Sequence, residues 1–329
     1  MHKYIQKKYL LMLILIALFL LVACSNSNDK EPNEADEPNK SEEVNTPNDA
    51  EEESEIKVDS DMGEVTVPAN PEKILASYNE DTLIALGEKP VAKWAIGESV
   101  QDYLEQELAD VDTIEWTLPL EAVLSIEPDL IILDHVLDNY EGSYDDYAAI
   151  APTYVLSEEE VSDWQVRIQK IGKLIGKEDE AAEALTDYEE KVNQAKEGLK
   201  ELLGDESVAM MWVIGGKYFL FEKNRHSANM IYNELGVTVP GLVEELGQGE
   251  SAWNPISLEK LSEIDADHLI ILGNKDDEGI EALDNSNVWN NTAVVQNNQV
   301  YFIEDESNWT NSGLVASKQT IDMFVDLFK

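Results

Sequence analysis

The chain has 329 residues, 43% of them hydrophobic, which is enough for two ordinary domains with real cores. Its 68 acidic residues against 23 lysines and arginines give a formal net charge of −45. That balance excludes nucleic acid as a partner, because phosphate neutralisation needs stripes of lysine and arginine, and it disfavours a highly anionic ligand held by charge alone. The acidity fits general solubility, and it also fits an external surface in a saline or alkaline medium.

Residues 1–23 read as a signal peptide. Lys3, Lys7 and Lys8 precede an apolar run from Leu10 to Val22, which is short for a membrane span, and Leu21-Val22-Ala23 leads directly to Cys24. Cys24 is the only cysteine, so no internal disulfide or thiolate metal site can form. Residues 24–55 mix Asn, Pro, Ser and many carboxylates without an aromatic residue, the composition of an extended tether.

The folded part opens with Ile56-Lys57-Val58 and Glu64-Val65-Thr66-Val67, alternating runs around Asp61-Met62-Gly63 that predict a hairpin. Strands are expected at Lys73–Ser77, from Pro90, at Leu130–Asp134 and at Thr153–Leu156. Helices are expected from Leu83 to Leu86, stopped by Gly87, and from Asp102 to Leu108. Strands alternating with short helices predict an α/β lobe with a parallel sheet over residues 56–157. Residues 158–203 carry apolar positions at helical spacing, broken at Gly176, and predict a rigid helical connector. Residues 204–329 repeat the alternation, with strands at Val208–Ile214, Tyr218–Phe221, His268–Leu272 and Val300–Ile303. A helix at Ser227–Leu235 and a closing one at Ser312–Phe328 complete this second lobe.

One unit occurs twice. LPLEAVLSIEPDLIIL and ISLEKLSEIDADHLIIL place Leu120 on Leu258, Glu121 on Glu259, Ile126 on Ile264 and Asp129 on Asp267. A tryptophan precedes each copy, Trp116 and Trp253. Ligands of parallel α/β lobes gather outside the carboxyl ends of the strands, so both tryptophans are expected to face a common cleft. Trp309, within the polar stretch Asn308-Trp309-Thr310-Asn311-Ser312, is expected there too, together with Tyr218. Arginine occurs only at Arg167 and Arg225. Arg167 is expected to be solvated or locally paired. Arg225-His226, beside Lys223 and ahead of a helix, reads as a compact cationic spot for an anionic oxygen. His268 reads as a satisfied core or edge residue. No Walker loop, GxGxxG, HExxH or GxSxG is present, and no residues suggest catalysis.

Taken together, the run LVAC, PANPEKILASYNEDTLIALGEKPVA, LPLEAVLSIEPDLIILD, YAAIAPTYVL, IGKLIGKEDEAAEALTDYEEKV and SLEKLSEIDADHLIIL resemble the iron–siderophore and cobalamin substrate-binding lipoproteins of bacterial ABC importers. The resemblance implies two Rossmann-like α/β lobes joined by one long helix, with little hinge motion and the ligand between the lobes. It implies that Cys24 is acylated and holds the protein, a monomer, on the outer face of the cytoplasmic membrane of a Gram-positive type of cell. It also implies that Glu121 and Glu259, one per lobe, engage arginines on the two subunits of the permease. Tryptophans are shared with cobalamin binders, whereas the lipoprotein form and the cationic spot lie closer to the ferric hydroxamate branch. With two arginines in all, the chain departs from the basic clefts of catecholate and citrate-type binders. The expected ligand is a neutral or weakly charged ferric hydroxamate or citrate-hydroxamate, held by Trp116, Trp253, Trp309, Tyr218, Arg225 and His226. Its iron arrives already wrapped, so no cofactor and no protein metal ligand is expected. The alternatives are a cobalamin or haem carrier of the same fold, and a lipid-anchored surface module without transport.

Overall fold

The computed structural model describes residues 55–249 and 252–329, so the signal sequence, Cys24 and nearly all of the tether lie outside the described residues. Strands β1 (Glu55–Ser60) and β2 (Gly63–Pro68) form the expected hairpin, in register from Glu55 opposite Pro68 to Ser60 opposite Gly63. Gly63 takes a φ of 105°, which closes the turn without strain. The buried Val58 and Val67 join the hairpin to the core. Its Asp61 amide also donates to the Val155 carbonyl of the first lobe.

The first lobe carries two small sheets. Strand β3 (Ile74–Ala76) is followed by helix α1 (Glu80–Ala85). Strand β4 (Lys93–Ile96) pairs antiparallel with β5 (Glu98–Ser99) and parallel with β6 (Thr113–Glu115). Helix α2 (Leu120–Ile126) leads to β7 (Leu130–Leu133), which lies between β3 and β8 (Thr153–Val155), parallel to both. All residues of β3, β7 and β8 are buried, as continuous apolar runs in a covered parallel sheet should be. Strand β6 is among the elements that the sequence did not announce; Thr113-Ile114-Glu115 buries only Ile114 and is too short to show a period.

The connector consists of three helices, α3 (Glu158–Ser162), α4 (Trp164–Leu174) and α5 (Glu178–Leu202), the last of 25 residues. Two local devices break it. Asp163 leaves the helical region and accepts hydrogen bonds from the amides of Gln165 and Val166, capping α4. Gly176 takes a φ of 70°, and α5 then packs back on α4, where Gly172 lies so close to Ala181 that a Cβ would crowd it at 2.9 Å.

The second lobe is one four-stranded sheet. Strand β9 (Val208–Ile214) pairs antiparallel with β10 (Lys217–Leu220) across the left-handed Gly215-Gly216, and parallel with β11 (His268–Leu272), which pairs parallel with β12 (Val300–Ile303). Helix α6 (His226–Asn229) runs into a π-helical turn, Met230–Glu234. Helix α7 (Leu258–Leu261) is the counterpart of α2. The closing helix α8 (Leu314–Leu327) packs against α5 and α1, so the end of the chain reaches back to the first lobe.

The repeated unit does the same structural work in both lobes. Asp129, just before β7, accepts the amides of Glu72 and Lys73 at 2.8 and 2.9 Å and so fixes the entry to the neighbouring strand β3. Asp267, just before β11, accepts the amide and hydroxyl of Ser207, both at 2.8 Å, at the entry to the neighbouring β9. These bonds hold the Asp267 carboxyl below its usual range. Val123 and Leu261 bury the inner faces of α2 and α7, leaving Glu121 and Glu259 exposed.

Candidate ligand cleft

The carboxyl ends of the first lobe's parallel strands, the connector and the segment after β12 enclose a cavity of about 450 Å³. Ser77 and Tyr78 follow β3 and Asp134 follows β7, so the strand-end rule places them at its mouth. Val161, Ser162 and Arg167 come from the connector, Arg225 and His226 from the second lobe, and Asn311 and Ser312 from the closing segment.

Both arginines of the chain therefore line one cavity. Arg225 is buried and makes a two-pronged pair with Glu222, from Nε at 2.6 Å and Nη2 at 3.1 Å, while Nη2 also reaches the Ala252 carbonyl. Its guanidinium lies 4.4 Å from the centre of the Trp253 ring. Arg167 is not solvated as expected. It is 8% exposed and donates from Nη1 to the Val161 carbonyl and from Nη2 to the Ser312 carbonyl, while its buried Nε has no hydrogen-bond partner among the described residues. Burial lowers its pKa, and the fields of Asp81, Tyr103, Tyr78 and Asp134 oppose that shift.

The cationic spot is weaker than its sequence suggests. Glu222 offsets Arg225, and Lys223 pairs with Glu244 at 2.9 Å. His226 is held down to about 4 by burial, with Arg225 adding to the effect, so the imidazole is neutral at ordinary pH. It contacts the Ser312 hydroxyl through Nδ1 at 3.2 Å.

The other expected site residues separate. Trp253 stands behind the wall, stacked on His226 at 5.7 Å and edge-on to Trp212, Phe219 and Phe221. Trp116 is exposed at the end of β6, outside the cavity, where its carbonyl accepts the Trp94 indole N–H. Trp94 in turn packs on Tyr78 at 4.8 Å. Trp309 is fully buried in the second lobe's core beside Phe324 and does not line the cleft, whereas Asn311 and Ser312 of the same stretch do. Tyr218 is also buried, with its hydroxyl donating to the Gly279 carbonyl at 2.9 Å. The two tryptophans of the repeated unit thus have different surroundings. His268 is buried, with Nε2 at 2.8 Å from Glu206 and Nδ1 at 3.2 Å from the Tyr301 hydroxyl.

Sequence reasoning missed Tyr78, Asp134 and Arg167, whereas the polar stretch that it placed at the cleft does supply Asn311 and Ser312. Tyr78 and Asp134 follow buried strands and could have been found by the strand-end rule. Arg167 falls on the apolar stripe of α4, between Trp164 and Ile171, and a charge on a buried stripe is itself a signal. Tyr78 leaves its ring partly exposed while its hydroxyl donates to Asn311 Oδ1 at 2.5 Å, and burial pushes that hydroxyl up to about 12.

Beneath this wall, a polar network ties the lobe to the closing helix. Glu80 accepts the Trp94 amide at 2.7 Å and the Gln101 side chain at 2.6 Å; burial pushes its carboxyl up to about 7 against both bonds. Asp81 accepts the Val315 and Ala316 amides at the start of α8 and the Tyr103 hydroxyl. Burial raises its pKa as well.

The family model for periplasmic binding proteins matches residues 74–307. The chain belongs to that family. It is a family of substrate-binding proteins, not of enzymes. The chain is 22% identical to the iron(3+)-hydroxamate-binding protein YxeB of Bacillus subtilis, over 98% of this chain and 97% of that one. It is 26% identical to the Fe(3+)-citrate-binding protein YfmC of the same organism, over 97% and 96%. The FhuD protein from S. pseudintermedius superimposes with a TM-score of 0.67 at 22% identity, covering 84% of this chain and 99% of that one, and so shares its fold. No helix among the described residues is long and apolar enough to cross a membrane.

Proposed function

We propose that the chain is the extracytoplasmic receptor of an ABC importer, anchored through an acylated Cys24, and that it captures a neutral or weakly charged ferric hydroxamate. The observation that carries this reading is the charge balance of the cleft. Two arginines can donate to ligand oxygens, yet Glu222 offsets one, and the fields of Asp81 and Asp134 offset the other. A multiply charged ferric citrate would meet little net positive potential there, whereas the oxygens of a neutral hydroxamate complex gain directed donors at little electrostatic cost. Tyr78, backed by Trp94, supplies an apolar wall for the ligand's organic body. The relatives named for hydroxamate binding support the class, and iron is cargo in this reading, not a resident metal. Glu121 and Glu259, exposed on matching helices of the two lobes, are the docking residues for a permease with two like subunits.

The test is quenching of intrinsic tryptophan fluorescence by ferric hydroxamates, ferric citrate, a ferric catecholate, haem and cobalamin. Ferric hydroxamates are expected to bind tightest. Tight binding confined to haem, cobalamin or the multiply charged ferric complexes overturns the reading.

A further inference from the structure

Asn79 does not do what its position calls for. It stands at the N-cap of α1, where an asparagine side chain ordinarily accepts an amide of the first turn, yet it makes no such bond. Its Nδ2 donates instead to the Ser77 carbonyl at 2.7 Å, and its Oδ1 has no hydrogen-bond partner among the described residues. Turning the amide over would set that oxygen against the Ser77 carbonyl, acceptor to acceptor, so the places of the two atoms are fixed. The residue is 4% exposed and lines the cavity of about 450 Å³ together with Tyr78. A buried acceptor without a donor weakens a fold, and native proteins keep few of them without a reason.

Other acceptors of the same lining are already engaged. Asp81 takes the Val315 and Ala316 amides and the Tyr103 hydroxyl, and Asn311 Oδ1 takes the Tyr78 hydroxyl. Arg167, nine-tenths buried, repeats the Asn79 pattern with the opposite sense, because its Nε donor has no partner among the described residues. The lining thus holds one buried acceptor and one buried donor that no described residue satisfies. The iron centre of an N-alkyl hydroxamate complex cannot serve Asn79. Its hydroxamate groups bind iron through both oxygens and carry no N–H, so they offer acceptors alone. The donor has to come from the chain that links them. A secondary amide there has an N–H for Asn79 and a carbonyl for a donor such as Arg167.

We propose that Asn79 is a specificity residue of the cleft, whose Oδ1 accepts a hydrogen bond from a secondary-amide N–H in the linker of a ferric hydroxamate. The proposal rests on the hydroxamate reading above. It predicts discrimination between ligands of the same charge and the same iron centre, which neither arginine could provide.

The test compares ferrioxamine E, a neutral macrocyclic tris-hydroxamate with secondary amides in its linkers, with a synthetic analogue methylated at every amide nitrogen. Affinities are read by tryptophan quenching on the full chain and on Asn79→Ser and Asn79→Ala. Both variants remove the Oδ1 acceptor, and serine remains a good N-cap residue. The wild type is expected to bind ferrioxamine E about five- to tenfold more tightly than the methylated analogue. In both variants the ratio falls to within about twofold, chiefly through weaker binding of ferrioxamine E. A part for Asn79 in folding alone would move both affinities together and leave their ratio unchanged. Equal affinities in the wild type overturn the proposal, and so does a preference that survives in the variants, which would mark the added methyl groups as merely too large. A second readout needs no variant: in the diamagnetic gallium complex of ferrioxamine E bound to the wild type, one linker N–H is expected to exchange with solvent more slowly than the others, and uniform exchange overturns the proposal. Failure of both hydroxamates, with ferric citrate, haem or cobalamin bound, overturns the hydroxamate reading itself and this proposal with it.

Discussion

Replacing Glu80 by glutamine isolates a titration that the fold holds far from its usual place. Glu80 is 1% exposed, and burial pushes its carboxyl from 4.5 to about 7 although the Trp94 amide and the Gln101 side chain both donate to it. A carboxyl whose pKa is raised by folding stabilises the native state in its protonated form. That contribution is complete below the unfolded pKa of 4.5 and is lost as pH rises to about 7. Between pH 5 and pH 8 the difference between these two pKa values withdraws about 2.5 kcal/mol from the wild type. Glutamine does not titrate, so Glu80→Gln lacks this slope. The amide also sets an N–H against one of the two donors, a mismatch of about 1–2 kcal/mol that is the same at both pH values. Urea denaturation of both proteins at pH 5 and pH 8 gives the double difference, in which the mismatch cancels. The variant is expected to gain about 2.5 kcal/mol on the wild type over that interval. A double difference below about 1 kcal/mol would refute the reasoning, because the carboxyl would then titrate nearly as it does in the unfolded chain.

Gly313→Ala should be severe although glycine's freedom of φ is not needed there, because a Cβ would overlap the Asp81 carboxyl that binds the first amides of α8; a loss of about 2–4 kcal/mol is expected by thermal or urea unfolding. Charge reversal at both Glu121 and Glu259 should abolish uptake of a radiolabelled ferric hydroxamate by cells while ligand affinity stays within about twofold, since both residues are exposed and away from the cavity; normal transport by the double variant would sink the docking role. Asp267 is held below its usual range by Ser207, so its contribution is present above about pH 4 and is lost as pH falls further. Asp267→Asn should therefore flatten the acid limb of the stability curve, measured by tryptophan emission in an acid titration.

What was legible in the sequence follows from how local the signals are. Buried strands such as Leu130–Leu133 and His268–Leu272 announce themselves as unbroken apolar runs, and glycines at 87, 176 and 236 mark ends that the backbone confirms with φ values of 79°, 70° and 75°. The repeated unit was legible because its Asp129 and Asp267 do a local job beside their own strands. The cleft was harder. Trp309 sits in a polar stretch, and nothing in its neighbours foretells that its ring turns inward toward Phe324. Arg167 was read as a surface residue of an acidic protein, whereas its acceptor, the Ser312 carbonyl, is 145 positions away and can be found only once the chain has folded. The cationic spot likewise lost its charge to Glu222, three residues away but visible as a partner only when both side chains are buried together.

Those long-range contacts share one anchor, and it bears on how the site binds. Tyr78 and His226 face the cavity from different lobes, and both hold a left-handed backbone, with φ of 57° and 37°, that costs a non-glycine residue about 1 kcal/mol or more. Such strain persists only where neighbours over-determine it. Tyr78 is tied to Asn311 and His226 to Ser312, while Arg167 donates to the Ser312 carbonyl from the connector. Asn311 also reaches back to the Val100 carbonyl, and Gln319 to that of Tyr103. The segment after β12 therefore fixes the first lobe, the connector and the second lobe to one another without help from a ligand. A ligand entering such a site orders few side chains, so more of its contact energy is left for affinity, and discrimination falls to fixed features: the two arginines and the aromatic wall.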